Sequence, residues 1–212
     1  MRNGLMRNFG PNLPPMETAT TMADSTTQSS STTTAVFGAP SLAATLGFAI
    51  AGSLLLWASA KVKVPFWPVP MTMQPFVVLA LGLALGWRRA GLAVALYLAE
   101  GAVGLPVFTD TPQRGIGLAY MVGPTGGYLA GFLVAAVAVG WLKDRGFTRS
   151  IGLAFAACLA GVALIYLPGV AWLASFVGVE KAITFGVTPF ILGDVLKALL
   201  AALAIPTLLR RF

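Results

Sequence analysis

From about residue 41 to its end the chain alternates long apolar runs with short polar or proline-rich breaks. Six runs stand out, at about 41–60, 75–87, 90–105, 120–142, 150–176 and 187–209. They are continuous, without the period-two alternation of an outer-membrane barrel, so the pattern predicts helices in a bilayer. Runs two and three are short for a span of roughly 20 residues. They are joined only by the polar turn Gly86-Trp-Arg-Arg-Ala-Gly91, and Arg88 and Arg89 at its tip argue for two full crossings over one re-entrant hairpin. The expectation is an all-α integral membrane protein with six transmembrane helices over residues 39–212. Residues 1–38 form a separate Ser/Thr-rich tail, with Thr18–Thr34 almost entirely polar. Such a segment has little to bury and is expected to be disordered. No apolar stretch follows Arg2 and Arg7, so it does not read as a signal peptide. Its simplest reading is an unselected leader, with Met16 and Met22 as later starts.

Composition agrees with the pattern. Only 10% of the 212 residues are charged and 57% are hydrophobic, against roughly a quarter charged in a soluble domain. Mean hydropathy is +0.83. The net charge of +7 does not indicate nucleic-acid binding, because the basic residues fall between apolar runs, where topology and anionic lipid account for them. The chain has no His, which removes Ser-His-Asp and Cys-His hydrolases, His-ligated haem and most zinc enzymes. The single Cys158 lies within an apolar run and reads as a small core residue. No G-x-x-x-x-G-K-[ST] occurs, so the chain binds no ATP through a P-loop.

Basic residues also set orientation. With six spans and both termini inside, inner segments hold Arg88, Arg89, Lys143, Arg145, Arg149, Arg210 and Arg211, and outer loops hold Lys61, Lys63, Arg114 and Lys181. Seven against four favours cytoplasmic N- and C-termini. Asp194 and Lys197 then lie early in an inward-running apolar run, about 10–15 Å from its start at 1.5 Å per residue. A charge in hydrocarbon costs at least ~3 kcal/mol, which makes an intramembrane pair a functional hypothesis by default. Residues three apart share a helical face, so the two can hold each other or hold a ligand together. In the same orientation Gln74, Glu100 and Arg114 also fall on the outer side, with Glu100 near enough to the interface to snorkel.

Between runs one and two, Pro65-Phe-Trp-Pro-Val-Pro-Met-Thr-Met-Gln-Pro75 carries four prolines in eleven residues and is not a regular helix. Irregular backbone near a membrane persists only beside protein or a cavity. Phe66 and Trp67 suit either a pocket wall or an interfacial belt. Glycines in Gly104-Leu-Pro-Val-Phe108 and Gly123-Pro-Thr-Gly-Gly-Tyr128 allow close approach of a ligand or of helices. Ala43, Gly47 and Ala51 form a small-residue ladder on the first helix, for which packing inside the protein is the default.

Four of these stretches, in order, resemble the BioY family, the biotin-specific substrate-capture subunits (S-components) of energy-coupling factor (ECF) transporters. Pro68-Val-Pro-Met-Thr-Met-Gln74 is similar to the family's V-P-x-T-x-Q. Tyr97-Leu-Ala-Glu-Gly-Ala-Val-Gly-Leu-Pro-Val-Phe108 resembles its Y-L-x-x-G-x-x-G-L-P-V-F. Gly123-Pro-Thr-Gly-Gly-Tyr-Leu-Ala-Gly131 resembles G-P-T-G-G-Y-L-x-G, and Gly193-Asp-Val-Leu-Lys197 resembles G-D-x-x-K. The resemblance covers about 60–197 and leaves the N-terminal tail out. It implies an S-component-like bundle with an outward-facing biotin pocket, in the cell membrane, with no catalytic residues and no cofactor. It suggests Gln74, Glu100, Arg114, Asp194 and Lys197 as biotin ligands, although relatives can carry Asn at the Glu100 position and the Arg114 loop varies in length.

That ligand fits the residues. A carboxylate, Asp194 or Glu100, can accept from the ureido N–H groups, and Lys197 can donate to the ureido carbonyl. Trp67, Phe66, Phe108 and Tyr128 could wall the apolar parts, and Arg114 suits the valerate carboxylate. The resemblance also implies an ECF transmembrane coupling subunit and ABC-type ATPases as partners, beside membrane lipid, and the first-helix ladder is a candidate for the coupling contact. Some family members are thought to act without these partners. Three other readings stand beside it: an S-component for another vitamin such as thiamine or riboflavin, an intramembrane enzyme using Glu100 and Asp194, and a structural subunit without a ligand.

Overall fold

In the computed structural model, residues 42–65 and 67–209 are described. The Ser/Thr-rich tail, Phe66, Arg210 and Arg211 lie outside the described residues. The described elements are α1 (Leu42–Lys61), the two-residue strands β1 (Lys63–Val64) and β2 (Met71–Thr72), α2 (Gln74–Leu85), α3 (Trp87–Ala102), α4 (Leu118–Met121), α5 (Gly126–Asp144), a 3-10 turn (Phe147–Arg149), α6 (Ile151–Val177), α7 (Val179–Gly186) and α8 (Ile191–Leu209). Four helices, α1, α5, α6 and α8, are long and apolar enough to cross a membrane. α2 is apolar but has only 12 residues, about 18 Å at 1.5 Å per residue, and α3 has 16.

Punctuation residues set the boundaries. Pro75 sits in the first turn of α2, where its missing N–H costs nothing. Gly86 ends α2 at φ 77° and starts α3 at once, a backbone conformation that glycine adopts without a Cβ penalty. The expected turn at 86–91 therefore shrinks to one residue, with Arg88 and Arg89 in the first turn of α3. Ser150 caps α6, its hydroxyl accepting from the Leu153 N–H at 3.2 Å. The run expected at 187–209 begins later as a helix: α7 lies before it, and α8 starts at Ile191, which places Asp194 in its first turn. The run expected at 120–142 is interrupted between α4 and α5 by the Gly123-Pro124 turn.

α5 packs against α2, α3 and α6, and α8 against α2 and α6. Small residues permit these approaches. A Cβ at Gly131 would stand 2.8 Å from the Ile165 backbone, and Gly82 meets Val139 at 3.0 Å. Outward faces stay apolar and exposed, as at Leu54, Leu55 and Trp57 of α1 and Leu196, Leu200 and Leu203 of α8. Water would not tolerate apolar surface on that scale, and hydrocarbon does. Ala43, Gly47 and Ala51 are on this outer surface, and a Cβ at Gly47 would have nothing within 4 Å. The ladder thus does not pack inside the bundle, contrary to the default expectation.

The helix directions define two ends. The starts of α2, α5 and α8 and the ends of α1, α3 and α6 gather with the β1–β2 hairpin at one end. Gly86, Arg88, Arg89 and the α5–α6 connection (145–150) are at the other.

Candidate functional site

At the hairpin end a cavity opens among α2, α5, α6, α8 and the segment 69–75. Val69, Met71, Thr72, Gln74, Thr109, Tyr120, Tyr128, Phe132, Ile165, Tyr166, Phe190, Asp194 and Lys197 are among its lining residues. Its interior of ≈ 60 Å³ is small beside the roughly 300–1,000 Å³ of pockets that enclose drug-sized ligands. Full enclosure of such a ligand would require the mouth segments to part.

Asp194 and Lys197 stand at its polar wall, 5% and 9% exposed. Lys197 Nζ donates to Asp194 Oδ1 at 2.8 Å and to the Thr72 carbonyl at 2.7 Å. Tyr166 donates its hydroxyl to Asp194 Oδ2 at 2.6 Å. The β2 segment and α6 thereby brace a pair carried on α8. An ammonium has three donors and each carboxylate oxygen can accept twice, so both charges retain capacity for a ligand after these bonds. Isolating either charge by removing its partner would cost about 3–5 kcal/mol.

Thr72 joins the pair to a second polar cluster, its carbonyl bonding Lys197 and its hydroxyl bonding Gln74. Gln74, 4% exposed, donates from Nε2 to the Tyr97 hydroxyl at 2.7 Å, and the Tyr97 hydroxyl donates to the Val107 carbonyl at 3.3 Å. Gln74 Oε1 accepts from Thr109 and Thr72, both at 3.3 Å. Tyr128 lines the cavity and donates to the Gly186 carbonyl at 2.8 Å.

Of the residues singled out in the sequence, the structure brings Gln74, Tyr128, Asp194 and Lys197 together. Four others lie elsewhere. Glu100 is not among the lining residues and instead accepts from the Ser53 hydroxyl of α1. Trp67 is 71% exposed, its ring set edge-on to Phe185 of α7 at 6.5 Å. Phe108 is buried behind the wall, stacked on Tyr120 at 4.9 Å and edge-on to Tyr97 at 5.4 Å. Arg114 is exposed at the mouth, donating to the Pro68 carbonyl at 2.8 Å and pairing with Asp110 at 3.4 Å. Lys63 also pairs with Asp110, so one carboxylate ties the hairpin to the loop that carries Arg114. Sequence reasoning missed Tyr166, Thr72 and Thr109. Tyr166 had a signal: it is the lone Tyr in the 27 residues of α6, and a buried phenol needs a partner.

The model of the BioY family matches residues 26–212. A probable biotin transporter BioY from Pyrococcus horikoshii is 40% identical over 144 residues, covering 68% of this chain and 83% of the relative. The biotin transporter BioY of Thermotoga maritima is 40% identical over 150 residues, 70% of this chain and 86% of its own. Among solved structures, the S-component for biotin from an ECF-type ABC transporter superposes with a TM-score of 0.68 at 27% identity, over 78% of this chain and 90% of that chain.

Proposed function

The chain belongs to the BioY family, and on that premise we propose that its cavity captures biotin, the protein being the substrate-binding subunit of an ECF-type transporter. It is a multi-pass membrane protein and a transporter component, not an enzyme. The observation that carries the reading is the buried Asp194–Lys197 pair, held by Tyr166 and Thr72 in the wall of an otherwise largely apolar cavity.

Asp194 accepts from the ureido N–H groups, and Lys197 gives its remaining donor to the ureido carbonyl. Tyr128, Phe132, Ile165 and Phe190 cover the ring sulfur and the methylenes. Gln74 closes the far side, and Arg114 turns from Pro68 toward the valerate carboxylate, as a mouth guanidinium suits an anion. Glu100, Trp67 and Phe108 receive no ligand contact. A ligand without the ureido pattern leaves the spare donor and acceptor capacity of the pair unmet and is rejected.

In the bilayer α2 and α3 complete six crossings, the chain just before α2, including β2, supplying the length that α2 lacks. The cavity faces outward and both termini are cytoplasmic. Supporting this, Arg88, Arg89, Arg145 and Arg149 all lie at the end away from the cavity. ABC-type ATPases and an ECF transmembrane coupling subunit supply the energy, and the coupling subunit seats on the exposed Ala43–Gly47–Ala51 face.

Calorimetry on the detergent-purified chain tests the assignment. Wild type binds biotin, and Asp194→Ala and Lys197→Ala each weaken it at least about tenfold, ~1.4 kcal/mol. Unchanged affinity in folded variants removes the pair from the site. Binding of thiamine in place of biotin reassigns the vitamin.

A further inference from the structure

A second surface feature lies at the end away from the cavity. Trp87, at the start of α3, and Leu133, Val134, Val137, Ala138 and Trp141 of α5 form an open apolar groove. A guanidinium sits over each indole: Arg88 lies 5.0 Å from the Trp87 ring centroid and Arg145 lies 3.7 Å from that of Trp141. Neither arginine has a carboxylate partner among the described residues. The nearby acid, Asp144, is engaged by Lys143 at 3.3 Å and by the Trp87 N–H at 3.4 Å. Two cations therefore stand beside the open apolar groove, each over a tryptophan that lines it, without a carboxylate partner among the described residues.

We propose that this groove is a binding site for one anionic phospholipid, its acyl chain lying along α5 and its phosphate held by Arg88 and Arg145. The apolar walls suit a hydrocarbon chain. A guanidinium resting on a ring keeps N–H donors for a phosphate, which it matches better than an ammonium would. The two tryptophans belong at the headgroup level, where an indole has one apolar and one wet edge. The comparable groove on the opposite half of the bundle, between α5 and α6, is lined by Met121, Ala130, Trp172, Ser175 and other neutral residues. It has the apolar walls without the cations and serves as an internal contrast. The proposal is independent of the ligand assigned to the cavity.

Fluorescence quenching by acyl-brominated lipids tests it, using the full chain in nanodiscs with Trp57, Trp67 and Trp172 changed to Phe. The remaining emission then reports Trp87 and Trp141. Brominated phosphatidylglycerol is expected to quench at a mole fraction on the order of tenfold below brominated phosphatidylcholine, as two basic groups near an anionic headgroup allow. R88Q/R145Q should remove that difference while biotin affinity stays within about twofold. Equal quenching by the two lipids in the parent protein, a comparison that needs no arginine variant, would overturn the proposal. So would a phosphatidylglycerol preference that survives R88Q/R145Q in protein that still binds biotin.

Discussion

Tyr166 illustrates how one side chain sets the properties of a charged pair. Its phenol occupies one oxygen of Asp194, and Lys197 occupies the other. Removing the hydroxyl frees the carboxylate to rotate without deleting a charge. Tyr166→Phe is therefore expected to weaken biotin binding by about threefold to tenfold, the net scale of one ordinary hydrogen bond, because the phenol acts on the ligand only through Asp194. That is less than the effect of Asp194→Ala, and paired calorimetric titrations compare them. Asp194 and Lys197 share partners, so their effects are not additive: the double alanine variant should lose far less than the sum of the singles. Gly101 lies under the Phe108 ring, and an added methyl would overlap it. Gly101→Ala is expected to displace the Tyr97–Phe108–Tyr120 stack and cost about 1–3 kcal/mol, read as a lower Tm in detergent.

At the scale of elements, close contact between α5 and α6 holds the cavity in shape. α5 brings Tyr128 and Phe132, and α6 brings Ile165 and Tyr166. Gly131 is one of the points at which they touch, facing Ile165, and Gly127 against Pro168 is another. Gly131→Val is expected to push the helices apart, lowering both Tm and biotin affinity. Gly152→Ala, also in α6 but with nothing within 4 Å of the new methyl, should leave both unchanged. Matched thermal melts and titrations separate a packing effect from a general intolerance of glycine replacement. A second element-scale feature is the latch at the mouth, in which Arg114 and Lys63 share Asp110 and Arg114 reaches Pro68. If the mouth must part for biotin to enter, Arg114→Gln is expected to speed dissociation more than association in stopped-flow measurements.

At the scale of the whole molecule, the proposed capture site and the proposed coupling face lie on different surfaces. The cavity is at the hairpin end, whereas Gly47 is on the outer face of α1 with open space around it. Gly47→Leu is expected to leave biotin affinity within about twofold and to reduce uptake of labelled biotin in cells that supply the ECF partners. Uptake unchanged by a bulky residue at Gly47 would remove this face from the coupling contact. The low burial of the long helices, 28% for both α1 and α6, has the same origin: their outer faces are left for lipid or for another subunit.

The sequence by itself determined the lipid-facing character of the chain, the helical class, the irregular proline segment and the Asp194–Lys197 pair. Each of these depends on local composition or on spacing along one element. Gln74 and Tyr128 were also legible, through motifs that resemble the family's. Facing was not legible. Glu100 turns to Ser53 of α1, and Trp67 turns outward to Phe185, because the direction of a side chain depends on which neighbours its element packs against. Tyr166 and Thr72 join Asp194 and Lys197 across 28 and 125 residues of chain respectively. Only tertiary structure decides such contacts, since periodicity shows which face of a helix is apolar and not what stands opposite it.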